Sequence, residues 1–162
     1  MRFLADSMLG KLARWLRMLG HDVIYEVKLD DQDLLKMAKL ETRVLLTKDF
    51  ELYKRAVTIG IDSYFVKAKL ASSQLAELAE RFHFVLTIDM DKSHCPICNS
   101  MIFQIPKDQI LGELEKNTIT FYEKFWRCPN CCQIYWQGSH WKQITNTLNE
   151  ANKSIEKLEK KA

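Results

Sequence analysis

Two pairs of closely spaced cysteines constrain the fold of this chain more than any other feature. The pairs are Cys95–Cys98 and Cys128–Cys131, with residues 99–127 between them. A spacing of two residues lets both thiolates of a pair reach one tetrahedral ion, and two such pairs supply the four ligands of a structural zinc site. The intervening length suits a small antiparallel sheet, so the pattern predicts a zinc ribbon.

The main alternative for such cysteines is a redox pair of the thioredoxin type. That chemistry needs a single pair at the start of a helix that follows a strand, whereas this chain has two pairs in proline-containing, strand-like segments. Zinc is therefore favoured, in the role of stabilising a segment too small to bury its own core. The residue after each pair normally needs a positive φ, which Asn tolerates. Asn99 meets this need, and Cys132 is expected to be a strained bystander rather than a ligand.

The first 90 residues alternate apolar, strand-like runs with amphipathic helical stretches. The strand candidates are residues 2–6, 21–27, 43–47, 61–66 and 83–88, and the helix candidates are residues 8–20, 30–41, 50–60 and 72–82. Strands that alternate with helices of about 10 residues predict a parallel sheet with helices on both faces. We therefore expect an α/β fold for residues 1–90.

The pattern changes after residue 90. Strand candidates with no helix needed between them occur at residues 101–106, 118–126 and 133–136. The tail then spaces apolar residues as one helical stripe: Ile144, Leu148, Ala151, Ile155 and Leu158. We predict three units, namely residues 1–90, a ribbon at 93–141 and a C-terminal amphipathic helix at 142–162. That helix could form a dimer, pack on its own domain or stay frayed, so the oligomeric state is open.

Three aspartates are predicted to meet at one edge of the parallel sheet. Asp6 follows the first strand, Asp31 opens the helix after the second, and Asp49 follows the third. Ligands bind beyond the carboxyl ends of parallel strands, and a group of carboxylates selects hard cations such as Mg²⁺ or Mn²⁺. Such an ion can polarise a phosphodiester and activate water. Taken singly, each acid could instead be only a helix cap or a turn residue.

Four segments together resemble the Mut-seven C-terminal RNase domain family, which consists of PIN-like nucleases with a fused zinc ribbon. The segments are FLADSMLGKLARWLRMLGHDV, LLTKD, CPICN and FWRCPNCCQIYWQGSHW, and the resemblance covers about residues 2–142. It implies a PIN-like α/β/α sandwich that hydrolyses single-stranded RNA. Matched motif by motif, Asp6, Asp31 and Asp49 are the catalytic acids that bind Mg²⁺ or Mn²⁺, and the four paired cysteines bind zinc. Cys132 stands where the family usually has Gly, and Lys48 where Arg is common.

The charge of the chain permits an RNA partner without requiring one. The net charge is +3, a mild excess, but Lys11, Arg14 and Arg17 recur on the helix that follows Asp6 and could hold phosphates. Lys48 and, in the GSHW motif, His140 are further candidates for RNA contact. A solvated helix face explains the three helical cations about equally well. The GSHW turn could also serve to dock the ribbon on the first domain.

No apolar run approaches the length of a membrane span, and no signal peptide is recognisable. We therefore expect a cytoplasmic protein with no membrane partner, in a compartment that keeps cysteines reduced. The leading hypothesis is a Mg²⁺- or Mn²⁺-dependent ribonuclease. The alternatives are a non-catalytic binding module associated with RNA or the ribosome, and a toxin-like nuclease controlled by a partner.

Overall fold

The computed structural model describes residues 1–159. The strands are β1 (Arg2–Ala5), β2 (Asp22–Tyr25), β3 (Val44–Thr47), β4 (Ser63–Phe65), β5 (Phe103–Ile105), β6 (Phe125–Arg127) and β7 (Ile134–Tyr135). The helices are α1 (Gly10–Met18), α2 (Asp31–Leu40), α3 (Phe50–Thr58), α4 (Ala71–Phe82), α5 (Lys116–Phe121) and α6 (Trp141–Glu159). Within residues 1–159, no helix is both long and apolar enough to cross a membrane.

Strands β1 to β4 form one parallel sheet, in the order β2-β1-β3-β4. Its two central strands are fully buried except for the first residue of β1, as expected when helices cover both faces of a parallel sheet. Because all four strands run the same way, their carboxyl ends share one edge. We call this edge the carboxyl edge; it carries the segments that follow Ala5, Tyr25, Thr47 and Phe65.

Successive residues of each central strand face opposite layers. On one face, Phe3 and Leu46 pack with α1, α4 and α6. On the other, Leu4 and Leu45 pack with α2 and α3. The result is an α/β/α sandwich with a core on each side of the sheet, which confirms the predicted fold class.

The C-terminal helix α6 belongs to the first of these layers. Leu148 and Ala151 are buried in the same core as Phe3, and Ile144 and Ile155 pack against it. The described part of the apolar stripe of the tail is therefore buried within the chain, largely against α4. Of the three possibilities for this helix, the structure shows packing on its own chain. The side chain of Leu158 and residues 160–162, which the sequence assigned to the same helix, lie outside the described part of the chain.

The predicted fifth strand at residues 83–88 is wrong. This segment is extended and alternates in burial, with Phe84, Leu86 and Ile88 turned towards the core. It has no strand partner, however, and lies outside the sheet. Its period-two pattern arises because it crosses the core layer as an extended connection, which produces the same alternation as a half-buried strand.

The ribbon is a three-stranded antiparallel sheet in the order β5-β6-β7. The prediction of strand throughout residues 118–126 is wrong in its first half, because residues up to Phe121 form α5 and the strand begins only at Phe125. The β-branched residues of this segment favoured strand, but residues 116–121 form a short helix with no buried residue.

The first cysteine pair is docked on the outer edge of β2 by polar contacts. The backbone N–H of Val23 donates to Asn99 Oδ1 at 2.9 Å, and its carbonyl accepts from Nε and Nη2 of Arg17 at 2.9 and 2.7 Å. The same Arg17 donates to the carbonyls of Pro96 and Ile97. These contacts close an edge strand that would otherwise present unpaired backbone groups, and they join the ribbon to the sandwich.

Candidate functional sites

The four paired cysteines converge as the sequence predicts. The sulfur atoms of Cys95, Cys98, Cys128 and Cys131 all lie within 4.8 Å of one another. The distances from Cys95 Sγ to Cys131 Sγ and from Cys98 Sγ to Cys128 Sγ are 3.5 and 3.3 Å. A tetrahedral zinc with Zn–S bonds of 2.3 Å would need separations of about 3.8 Å. The cluster is close to this size, and its four cysteines are not disulfide-bonded.

The backbone around the cysteines has the geometry of two metal knuckles. Asn99 and Cys132 have φ angles of 68° and 61°, and their N–H groups donate back to the carbonyls of Cys95 and Cys128 at 2.9 and 3.0 Å. Burial opposes ionisation of the Cys98 thiol, but hydrogen bonds from the Ser100 backbone, Asn130 and Cys128 together lower its pKa to about 5. Four sulfurs in this arrangement fit a zinc ion, and Cys132 is an exposed bystander in a left-handed conformation.

At the carboxyl edge, Asp6 and Asp49 are joined through Thr47. Asp6 is buried, and its carboxylate accepts from the N–H of Met8 at 2.8 Å, the N–H of Lys48 at 2.9 Å and the hydroxyl of Thr47. The Thr47 hydroxyl in turn accepts from the N–H of Asp49 at 2.9 Å. One hydroxyl therefore fixes the position of both acids relative to β3.

Asp49 also caps α3, since its Oδ1 accepts from the N–H groups of Glu51 and Leu52 at 2.8 and 3.1 Å. The other oxygen, Oδ2, accepts no hydrogen bond within residues 1–159, and Asp49 is exposed. A carboxylate held by one oxygen at a helix start keeps its second oxygen for a ligand.

Asp31 stands apart from these two acids. Its Oδ2 forms an ion pair with Nη1 of Arg55 at 2.8 Å, and both side chains are about half exposed. Asp30, rather than Asp31, caps α2 through the N–H of Asp33. In the described chain the cysteine cluster is the only set of three or more ligating side chains whose ligand atoms lie within 4.8 Å of one another. The three aspartates thus share an edge but do not form a closed triad.

A basic groove of about 630 Å³ lies next to the segments that hold Asp6. Its cationic side chains are Lys11 and Arg14 of α1, Lys48, and Lys69 of the loop before α4, and no acidic residue of the described chain lines it. Met8 and Lys48, whose N–H groups bind Asp6, line the same groove. The structure therefore brings three of the predicted RNA-binding residues together beside an acid.

Arg17 does not belong to this groove, and its predicted role in RNA binding is wrong. It is 6% exposed, and its guanidinium donates to three backbone carbonyls that join α1, β2 and the first cysteine pair. Burial lowers the pKa of this guanidinium. The helical spacing of the sequence placed Arg17 off the apolar stripe, but it could not show that the ribbon covers that side of α1.

The GSHW motif forms the turn that begins α6. A Cβ on Gly138 would lie 2.7 Å from Nε1 of Trp136, so only glycine fits there, and the carbonyl of His140 accepts from the N–H groups of Gln143 and Ile144. His140 is exposed beside a separate pocket of about 260 Å³ with Trp136 and Trp141 in its wall. RNA contact by His140 stays a prediction, since nothing joins this pocket to the carboxyl edge.

Sequence reasoning missed several residues of the carboxyl edge. Thr47 lies in the LLTKD segment, but no pattern indicated that its hydroxyl bridges two acids. Lys69 lies in a loop, where no periodicity marks a function. Glu77 of α4 is a further half-buried acid near Lys48, and burial raises its pKa. Its helical position resembled that of an ordinary surface acid, so only the folded chain reveals its environment.

Comparison with protein families places the chain clearly. Residues 1–148 match the model of the Mut7-C RNAse domain, a range that includes the sandwich, the cysteine cluster and the first turns of α6. Comparisons with curated proteins and with solved structures gave no match.

Proposed function

We propose that this chain, which belongs to the Mut7-C RNAse domain family, is a metal-dependent ribonuclease that hydrolyses phosphodiesters of single-stranded RNA. The observation that carries the proposal is the Thr47 hydroxyl, which donates to the Asp6 carboxylate and accepts from the backbone N–H of Asp49 at the carboxyl edge. The segments around Asp6 line a groove with four cations. The family supports a ribonuclease-type function, and these residues support a divalent ion at the carboxyl edge. Zinc in the cysteine cluster would be structural.

The residues of the carboxyl edge suggest a division of tasks. Asp6 and Asp49 would hold Mg²⁺ or Mn²⁺, which when bound polarises a phosphodiester and makes water a stronger nucleophile. Thr47 holds the Asp6 carboxylate and the backbone of Asp49, and the start of α3 holds the Asp49 carboxylate, so little reorganisation is needed when charge develops. Lys11, Arg14, Lys48 and Lys69 would bind the phosphates on either side of the cleaved bond. Asp31 could join as a third ligand once it leaves Arg55.

One observation favours the alternative, a module that binds RNA without cutting it. Asp31 is held by Arg55, and the aspartates are not gathered into a closed triad. A basic groove alone is sufficient to bind a phosphate backbone. The two functions share the groove and differ only in what the acids do, so the test must separate binding from cleavage.

The first experiment is cleavage of an end-labelled single-stranded RNA by zinc-loaded protein, with Mn²⁺ present or omitted. We expect cleavage that requires the added metal and falls by about 100-fold or more in Asp6→Asn, a loss similar to that of a single charge-stabilising group in other enzymes. Asp62→Asn is the matched control, because Asp62 is an exposed carboxylate at the opposite end of the sheet, just before β4. It should cut at the wild-type rate.

Binding of the same RNA, measured without added divalent metal, accompanies the cleavage assay. Arg14→Ala should weaken binding and make it less dependent on salt. If the wild type binds RNA but several sequences and metals give no cleavage, the nuclease proposal is wrong and the binding module replaces it. Equal cleavage by Asp6→Asn and the wild type would exclude Asp6 as a catalytic metal ligand.

A further inference from the structure

Three aromatic rings cluster beside Asp49, and the chemistry proposed above uses none of them. Phe50 is the first residue of α3, Tyr53 lies one turn later, and Phe65 ends β4. The ring centroids of Phe50 and Phe65 are 5.4 Å apart at an interplanar angle of 73°, and Tyr53 lies 6.2 and 6.1 Å from the other two. We call these three residues the aromatic cluster.

The register of the sheet aligns this cluster with the acids. Thr47 pairs with Phe65 across β3 and β4. Asp6 follows Ala5, which pairs with Leu46, so Asp6 lies next to Thr47 on the other side. Side chains at neighbouring register positions lie on the same face of a sheet. Asp6, Thr47 and Phe65 therefore form one row across three strands at the carboxyl edge, on the α3 side.

The exposure of Phe50 is not explained by folding. Its side chain is 52% exposed, whereas α3 contributes Leu52 and Ala56 to the core. The Nζ atom of Lys54 lies 5.2 Å from the centroid of the Phe50 ring, so a cation accompanies the exposed ring. The same Nζ atom lies 2.7 Å from Glu51 Oε1, so this cation is already paired. An exposed aromatic ring one residue from a candidate metal ligand nevertheless has the main element of a site that stacks a base.

The basic groove and the aromatic cluster lie on opposite faces of the sheet, with the carboxyl edge between them. The groove is lined by residues of α1 and of the start of α4, on one face of the sheet, and the cluster lies on the α3 face. A strand that crosses the carboxyl edge from one to the other would pass over Asp6 and Asp49. This arrangement supports one occupant, a single RNA strand with phosphates in the groove and a base on the cluster.

We propose that the aromatic cluster is a stacking subsite for one unpaired base next to the cleaved phosphodiester. The inference rests on the proposed function, because it takes RNA as the ligand. Phe50 provides the exposed ring, while Phe65 packs edge-on against it and Tyr53 lies tilted beside it. A base within a duplex is already stacked and cannot use this subsite, so the cluster gives the site a preference for single strands over double strands.

The test measures binding of short single-stranded RNAs to zinc-loaded protein by fluorescence anisotropy, without added Mg²⁺ or Mn²⁺. Phe50→Ala should raise the Kd about 5- to 30-fold, the lower part of the range for loss of one stacked base, and Phe50→Trp should retain tight binding. Phe121→Ala is the matched control, because Phe121 is 79% exposed on α5 of the ribbon. It should bind like the wild type.

A single abasic position moved along the RNA identifies the stacked base. When the abasic site is at the position of the stacked base, the Kd of the wild type should rise by about the same factor as it does for Phe50→Ala. The same abasic RNA should bind Phe50→Ala no more weakly than the intact RNA does. The inference is overturned if Phe50→Ala binds RNA as tightly as the wild type, or if the losses of affinity caused by Phe50→Ala and by the abasic position simply multiply. It is also overturned if Phe50→Ala weakens binding by dissociating a dimer of the chain.

These outcomes are separable from those of the proposed function. Wild-type protein that binds and cuts RNA, with no effect of Phe50→Ala, would refute the subsite and leave the nuclease. Binding that depends on Phe50 without any cleavage would support the subsite and refute the nuclease. Absence of RNA binding by the wild type would refute both.

Discussion

The sandwich and the ribbon of this chain are stabilised in different ways. The sandwich buries a continuous apolar core on each face of its parallel sheet. The ribbon has two small clusters, and one of them consists of Cys95, Cys128 and only two other fully buried residues. Apolar burial contributes stability roughly in proportion to the area removed from water. The ribbon buries little, so its fold depends on its sulfur ligands and on its contacts with β2.

This difference explains which sequence signals are informative in each region. In the sandwich, hydrophobic periodicity reflects burial, and burial determines the elements. In the ribbon, the spacing of the cysteines predicts the fold better than the secondary-structure propensity of each short segment, which is easily overridden. The two regions should accordingly respond to different perturbations, and the three experiments below test that expectation.

The largest effect is expected from loss of the metal ligands. Cys128→Ser should abolish binding of one equivalent of zinc and unfold the ribbon, because a structural zinc site contributes on the order of 10 kcal/mol. The sandwich should retain much of its helical circular dichroism. The control is Cys132→Gly, which should keep the zinc and gain about 0.5–1 kcal/mol by relieving the left-handed backbone.

Zinc content and thermal unfolding of both variants check this prediction. A Cys128→Ser protein that keeps a full equivalent of zinc would show that the cluster is not the metal site. Loss of zinc from Cys132→Gly would show that the bystander assignment of Cys132 is incorrect.

A smaller effect is expected where the two regions are joined. Arg17→Leu leaves the carbonyls of Val23, Pro96 and Ile97 without their buried donor and should cost roughly 3 kcal/mol or more, at about 1–3 kcal/mol for each unsatisfied group. Arg14→Leu, one turn earlier and exposed, should change the free energy of unfolding by less than about 0.5 kcal/mol. Urea denaturation at neutral pH compares the two, and equal destabilisation would contradict the bridging role of Arg17.

The smallest effect concerns acid sensitivity of the sandwich core. His21 is buried edge-on against Phe3 and Phe84, and burial, assisted by the charged N-terminal amine, lowers its pKa to about 4 from 6.5. The neutral ring is therefore favoured in the folded state. The contribution of His21 to the free energy of unfolding is fully present above about pH 6.5. It is lost as the pH falls towards 4, by up to roughly 3 kcal/mol.

The difference in free energy of unfolding between the wild type and His21→Phe isolates this contribution from acid effects on the zinc site. That difference should shift by a few kcal/mol between pH 7 and pH 4, with the wild type losing stability. A difference that does not vary with pH would mean that His21 titrates alike in the folded and unfolded chain.

Much of the sandwich could be predicted because its patterns have local physical causes. The four paired strands and the first four helices lie within a few residues of their predicted positions, since apolar runs and amphipathic stripes follow directly from burial. The segment 83–88 shows the limit of this reasoning. Alternating burial reports which side chains face the core, but pairing with another strand depends on where the sheet ends, and the local sequence does not contain that information.

The candidate sites were predictable to different degrees. The four cysteines could be assigned because two-residue spacing and one tetrahedral ion leave few alternatives. Asp6 and Asp49 could be placed at one edge because they directly follow neighbouring parallel strands. Asp31 follows its strand by a loop, so the sequence could not show that Arg55 would pair with it. Phe50 and Phe65 are far apart in the chain, and only the strand register makes them neighbours.

The packing of α6 has a consequence for how the chain folds. The core that Phe3 begins is completed by Leu148 and Ala151, so these contacts join the two ends of the sequence, with the whole ribbon between them. Contacts between residues so far apart in the sequence form slowly. During synthesis, the first helices and strands emerge long before α6, which packs against them. All four cysteines of the ribbon are synthesised before α6, so the cluster can assemble before that core closes.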